Sequence, residues 1–235
     1  MKISRNIYLK GFKYKNNNKI KKILKKLLNE KNPVINSLGK YYKYSYNKNL
    51  LLNLKKYSKI NLIGMGGSSL GARSIYNFFK TQIKKDFHFS DNLSLKKEFN
   101  KVKKKTLNII ISKSGNTLET ITNTNIFTSK NQKNIFLTEN KNSYLFDLAK
   151  KLKSDIIFHN NYIGGRYSVL SEVGMLPAEL MGLKESKFKQ YDNLIKNKKF
   201  LAALTNNVSN ILNLYKKGKS NSIILNFDEN SIDLF

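Results

Sequence analysis

Three short segments concentrate the residue types that bind and transform anions. The first, Gly64-Met65-Gly66-Gly67-Ser68-Ser69-Leu70-Gly71, follows an apolar run and opens a helical pattern. Glycines let the backbone come close to a ligand, and the first N–H groups of a helix face an anion. No Gly-Lys-Ser/Thr follows, so it is not a P-loop, and Ser69 stands where the dinucleotide fingerprint needs its third glycine. A tight strand–helix turn that binds nothing has the same composition, and alone this segment leaves both readings open. The second, Ser112-Lys113-Ser114-Gly115-Asn116-Thr117-Leu118-Glu119-Thr120, brings four hydroxyls and one ammonium to the start of a predicted helix. That set suits a phosphate monoester. Asn116 and Glu119 have capping-box spacing, with Asn in the N-cap role, and capping is the competing use of the hydroxyls. The third is Gly164-Gly165-Arg166-Tyr167-Ser168. Its guanidinium is a planar, permanently charged donor fork that suits an oxyanion developing during a reaction. The alternative is a loop ion pair, with Glu172 as its partner.

These segments need a scaffold, and the hydropathy pattern supplies one. Ile60–Ile63, Phe87–Phe89, Thr106–Ile111, Ile135–Thr138 and Asp155–Phe158 read as five short strands. Helical spacing covers Leu70–Ile83, Asn116–Ser129 and Ser143–Leu152, and Leu95–Val102 is a further helix candidate. Alternation of this kind predicts an α/β fold, a doubly wound parallel five-stranded sheet covered on both faces. The first two anion-binding segments then fall at strand C-termini, where open α/β sheets take ligands. Upstream, Lys19–Leu28 places Ile20, Ile23, Leu24, Leu27 and Leu28 on one stripe of a basic amphipathic helix. We read it as a packing helix rather than a membrane-surface helix. Residues 40–50 read as irregular or helical cover for the sheet. Downstream, Ser168–Met181, Phe188–Asn197 and Phe200–Tyr215 read as helices, and Ser222–Phe227 as a new buried strand. The domain reading is therefore residues 1–57 as a basic helical segment, 58–185 as the sheet domain, and 186–235 as a helical connection into a truncated second domain.

Composition narrows the chemistry. The 235 residues contain no cysteine and two histidines, His88 and His159, which excludes thiolate chemistry and multi-His metal sites. No apolar run reaches the roughly 18 to 20 residues of a membrane span, and no signal-peptide pattern opens the chain. The net charge is +29, from 44 Lys and Arg against 15 Asp and Glu, which is the footprint of a nucleic-acid binder. Yet only Arg5, Arg73 and Arg166 are arginine, whereas nucleic-acid readers favour its bidentate fork. Lys, Asn, Ile, Tyr and Phe all use A/T-rich codons, so genome bias explains the lysines better than a nucleic-acid partner does.

In order and spacing the three segments together resemble the glucose-6-phosphate isomerase (phosphoglucose isomerase) family. Its Gly-x-Gly-Gly-Ser-x-x-Gly turn is matched by Gly64–Gly71. Its Ser-Lys-Thr-x-x-Thr-x-Glu-Thr phosphate loop is matched by Ser112–Thr120, with Ser114 replacing Thr and keeping the hydroxyl. Its Gly-Gly-Arg-x-Ser is matched by Gly164–Ser168. The similarity runs from about residue 59 to 180 and weakens beyond. It implies a sugar isomerase (SIS) fold of two doubly wound domains, in a cytoplasmic homodimer. It implies cofactor-free interconversion of glucose 6-phosphate and fructose 6-phosphate through a cis-enediolate. By motif, Ser112, Ser114 and Thr117 hold the phosphate with the backbone of Lys113, and Gly67 and Ser68 contact the sugar. Arg166 stabilises the enediolate and Glu119 orients the substrate. The family's base is a glutamate in Glu-Ser-x-Gly-Lys, a segment these 235 residues do not contain. Glu119, Glu172 and Glu179 lack that context, and neither His88 nor His159 matches the family's histidine. The expectation is a fragment that binds sugar phosphates and turns over little or nothing. A non-catalytic SIS regulator and a bifunctional phosphoglucose/phosphomannose isomerase remain open, as does a charge-driven nucleic-acid binder.

Overall fold

The computed structural model, which describes residues 17–93 and 106–221, turns the five predicted apolar runs between residues 60 and 158 into strands. These are β1 (Lys59–Gly64), β2 (Asp86–Ser90), β3 (Thr106–Ile111), β4 (Lys133–Thr138) and β5 (Asp155–Phe158). All neighbours pair in parallel, in the order β2-β1-β3-β4-β5. Strand order reverses between β1 and β3, the point where doubly wound sheets open a ligand crevice. Side chains alternate across the pleat and feed two cores. Ile60, Leu62, Leu107, Ile109, Ile111, Ile135, Leu137 and Ile157 face one of them. There they meet α3 (Lys48–Lys55), α4 (Leu70–Phe78) and α7 (Glu172–Leu180). Ile63, Ile110 and Phe136 face the other, under α5 (Leu118–Phe127) and α6 (Tyr144–Lys151). Residues 43–57, which the sequence reading grouped with the N-terminal segment, pack in the same unit as the sheet.

Below the Ile63–Ile110–Phe136 row runs a polar row that periodicity did not foresee. Asn61, Asn108 and Asn134 lie in register and are buried. Asn108 Nδ2 donates to Asn134 Oδ1 at 2.9 Å and to Gln132 Oε1 at 3.1 Å. Asn61 Nδ2 donates to Asn108 Oδ1 at 3.5 Å, and Ser90 Oγ donates to Asn61 Oδ1 at 3.0 Å. Asn108→Ala removes the centre of this chain. We expect it to cost at least about 2 kcal/mol, because each buried group left unpaired costs about 1–3 kcal/mol. Urea unfolding midpoints check this.

Several predicted helices are shorter than expected. α4 stops at Phe78 instead of Ile83. Phe79 turns aside to meet Phe78 and Phe188, at ring separations of 5.0 and 6.1 Å, so burial overrides helical spacing. α7 starts at Glu172, not Ser168, because Ser171 caps Val173 N–H from outside the helix. The helix expected at 95–102 and the strand expected at 222–227 lie outside the described residues.

A second unit comprises residues 17–42 and 189–221. It contains α1 (Asn18–Asn29), α2 (Pro33–Ser37), α8 (Tyr191–Lys196) and α9 (Lys198–Lys216). Asn17 caps α1 through Ile20 N–H and donates to Ser209 Oγ on α9 at 3.3 Å. Buried Lys189 donates to the Ser37 carbonyl at 2.6 Å. The apolar stripe of α1 is only part covered. Ile20, Leu24 and Leu28 are half-buried, while Ile23 and Leu27 are exposed. Among the described residues, no helix is long and apolar enough to cross a membrane.

Candidate functional site

The first two of these glycine–hydroxyl segments leave the sheet side by side, because Gly64 ends β1 opposite Ile111 of β3. From Gly64 the chain makes a 3-10 turn over Gly66–Ser68 before entering α4. Gly66 has φ +57°, which favours glycine. Gly67 is glycine for a different reason. A Cβ there would lie 2.3 Å from the Gly165 carbonyl oxygen. The glycine turn after β1 therefore rests directly on the turn carrying Arg166. Ser168 Oγ fastens the two, donating to the Gly165 carbonyl at 2.7 Å and the Gly67 carbonyl at 3.2 Å. The first segment thus borders the end of β3, where the second begins, and the third at the C-terminal edge of the sheet.

After β3 the chain turns tightly, with Gly115 N–H donating to the Ser112 carbonyl at 3.1 Å. Gly115 sits at φ +69°, where a Cβ would come within 2.1 Å of Ser143 Oγ. Three hydroxyls collect beside this turn. Thr117 Oγ1 is 3.0 Å from Ser112 Oγ and 3.5 Å from Ser114 Oγ. The expected Asn116–Glu119 capping box is absent. Thr117 occupies the N-cap of α5 and makes no side-chain cap, whereas Asn116 Oδ1 accepts Tyr144 N–H at the start of α6. Asn116 is needed to tie the two helices together, and α5 keeps its N-terminal N–H groups free of a side-chain cap. Glu119 lies in the first turn of α5, half-buried.

The Lys113 ammonium points away from this cradle. It donates to the Asn161 carbonyl at 2.6 Å and lies 3.5 Å from Glu139. Burial pushes the Glu139 carboxyl up, but Lys141 at 2.6 Å, with Lys113 behind it, outweighs burial and holds it below the ordinary carboxylate value. Lys113 therefore links the phosphate-loop candidate to the segment before Arg166, and only its backbone borders the hydroxyls. Arg166 itself is exposed, and among the described residues it has no hydrogen-bond or ion-pair partner. The alternative pairing with Glu172 is excluded, since Glu172 is fully buried and Arg166 is not. Ser68 is half-buried beside Gly67. Sequence reasoning missed Ser143 under Gly115, and it missed that His159 and Glu172, each weighed there separately, lie against each other. For His159 the available signal was its scarcity and its place just after a strand. Among the described residues no group of His, Asp or Glu side chains could hold a metal.

Comparison with known proteins bears on the family and the fold. The SIS-domain family profile matches residues 53–163. A glucose-6-phosphate isomerase of Methanocaldococcus jannaschii is 32% identical over 203 residues, covering 79% of this chain and 50% of that protein. One from Mycoplasmoides gallisepticum is 32% identical over 205 residues, covering 74% and 48%. A hypothetical protein of Thermus thermophilus superposes with TM-score 0.63 at 20% identity, over 85% of this chain and 52% of that one, and shares the fold. The chain spans about half the length of the curated relatives it matches.

Proposed function

Because the chain carries a SIS domain and resembles the glucose-6-phosphate isomerases over most of its length, we propose that it is the phosphate-holding part of such an isomerase. The observation that carries this reading is the hydroxyl cluster Ser112, Ser114 and Thr117 at the uncapped start of α5, next to the strand-order reversal. A phosphate dianion seated there accepts from the hydroxyls, from backbone N–H groups including that of Lys113, and from the helix N-terminus. Binding at the phosphate fixes the rest of the sugar in place. Gly67 and Ser68 then contact the sugar chain, and Glu119 orients it. Arg166 faces the oxygen that becomes negative when a proton moves between C1 and C2. The opened sugar has a carbonyl beside a carbinol carbon, so one carboxylate serves to take the proton from one carbon and return it to the other.

That carboxylate is not supplied by a recognisable motif in these 235 residues. In this reading the chain binds substrate, and turnover belongs to a longer homodimeric protein in the cytoplasm, without a cofactor. Calorimetry on the purified chain should show binding of inorganic phosphate. It should show tighter binding of a five-carbon phosphorylated acid, which mimics the enediolate. A coupled assay should show no isomerase turnover. Absence of binding by both ligands overturns the site. Clear turnover overturns the assignment of the base to a segment outside this sequence.

A further inference from the structure

One buried ionisable pair in the sheet unit is left unused by the site just proposed. Glu172, the first residue of α7, is 0% exposed, and His159, just after β5, is 5% exposed. The two residues are the stems of one loop, residues 160–171, and Arg166 sits inside it. His159 Nδ1 lies 4.0 Å from Glu172 Oε1, an ion-pair separation longer than a hydrogen bond. On its other side His159 Nε2 lies 3.1 Å from the Ile163 carbonyl oxygen. A carbonyl only accepts, so Nε2 carries the hydrogen. Nδ1 is then a bare lone pair in the neutral ring and an N–H in the cation, and among the described residues it has no hydrogen-bond partner. Glu172 Oε1, which also accepts from Ser45 Oγ, faces this nitrogen, so protonation of the ring turns two facing acceptors into an ion pair across the neck.

The loop hangs on this neck. His159 N–H donates to the Thr138 carbonyl, and Ile163 N–H to the Asn160 carbonyl. Lys113 holds the Asn161 carbonyl from the phosphate loop. At the other stem, Ser171 Oγ and N–H both donate to the Ser168 carbonyl, and Ser168 Oγ grips Gly165 and Gly67. Ser45 Oγ donates to Glu172 Oε1 at 3.1 Å. We propose that His159 and Glu172 form a proton-linked clasp at the neck of the Arg166 loop, and that both are positioning residues for Arg166. The inference rests on the site reading above.

The groups acting on the His159 ring come from four elements. Burial is the largest influence and lowers its proton affinity. Glu172 of α7 and the Ile163 carbonyl raise it, Lys113 after β3 lowers it, and Glu139 after β4 raises it. The net result lies below the ordinary value of 6.5. Tyr44, ahead of α3, feels the Glu172 charge as well.

With two histidines in the chain, a His88→Gln background leaves His159 as the single imidazole signal. Adding Glu172→Gln should lower the His159 titration midpoint by at least about half a pH unit, because the neighbouring negative charge is gone. The same variant should bind the five-carbon phosphorylated acid about tenfold more weakly and inorganic phosphate within about twofold of wild type. His159→Gln keeps an amide donor for Ile163 and should retain more affinity than His159→Ala. An unmoved midpoint overturns the clasp. In the wild-type chain above its titration midpoint, nitrogen–proton NMR should show a neutral ring protonated on Nε2, and a neutral ring protonated on Nδ1 alone overturns the clasp even where Glu172→Gln does not fold. Wild-type chain that binds neither ligand overturns the reading of the site. Wild-type affinity for the acid that survives Glu172→Gln unchanged overturns the positioning role alone.

Discussion

Gly67→Ala is expected to abolish measurable binding of the phosphorylated acid and to cost about 1–3 kcal/mol of stability, the usual penalty for forcing an extra methyl into packed backbone. The added Cβ would stand 2.3 Å from the Gly165 carbonyl oxygen and 2.4 Å from its carbon. Neither atom belongs to a flexible side chain, so one turn must move off the other. Moving them apart also breaks the hydrogen bond from Ser168 Oγ to the Gly67 carbonyl. The Arg166 turn then loses its register with the Gly66–Ser68 turn. Gly66→Ala provides the comparison. A Cβ there meets nothing within 4 Å, and the cost is confined to the positive φ of +57°, about 1 kcal/mol. Urea midpoints for both variants, with calorimetry for Gly67→Ala, decide the matter. A Gly67→Ala chain as stable as wild type, with unchanged affinity, means the two turns are not locked together.

Arg166→Ala should weaken the phosphorylated acid by about 10- to 100-fold, the equivalent of one charge-assisted hydrogen bond at about 1.5–3 kcal/mol. Inorganic phosphate should bind within about twofold of wild type, since its cradle lies after β3. Stability should stay within about 0.5 kcal/mol, because Arg166 is exposed and no partner among the described residues is left stranded. Arg166→Lys should restore little, as a point charge does not reproduce a planar fork. Equal affinity of wild type and Arg166→Ala for the acid removes Arg166 from the site.

Much of the scaffold was legible beforehand. The five runs at Ile60, Phe87, Thr106, Ile135 and Asp155 became the five strands, because buried parallel strands need short, continuous, β-branched segments. The two glycine–hydroxyl segments were legible as strand-end turns for the same reason. Errors cluster where local and distant partners competed. The capping box at Asn116–Glu119 has correct spacing, yet Asn116 caps the next helix, 28 residues away. The Lys113 ammonium, grouped by charge with the hydroxyls of its segment, holds a carbonyl 48 residues on. The buried asparagine row was invisible, because polar residues in a strand normally mark the solvated face.

By itself the sequence determined the strand–helix alternation, the glycine and hydroxyl turns, and the lone arginine of the third segment. Those features follow from rules that act over three or four residues. Tertiary structure decided which turns meet. Strand order put β1 beside β3, so that the two glycine–hydroxyl turns became neighbours. Packing set Gly67 against Gly165 and joined Ser168 to the Gly67 carbonyl, 101 residues away. It also brought His159 against Glu172 across the neck of one loop. Contacts of that range are chosen by close packing of the whole unit, where each buried polar group must find a partner, and no local spacing encodes them.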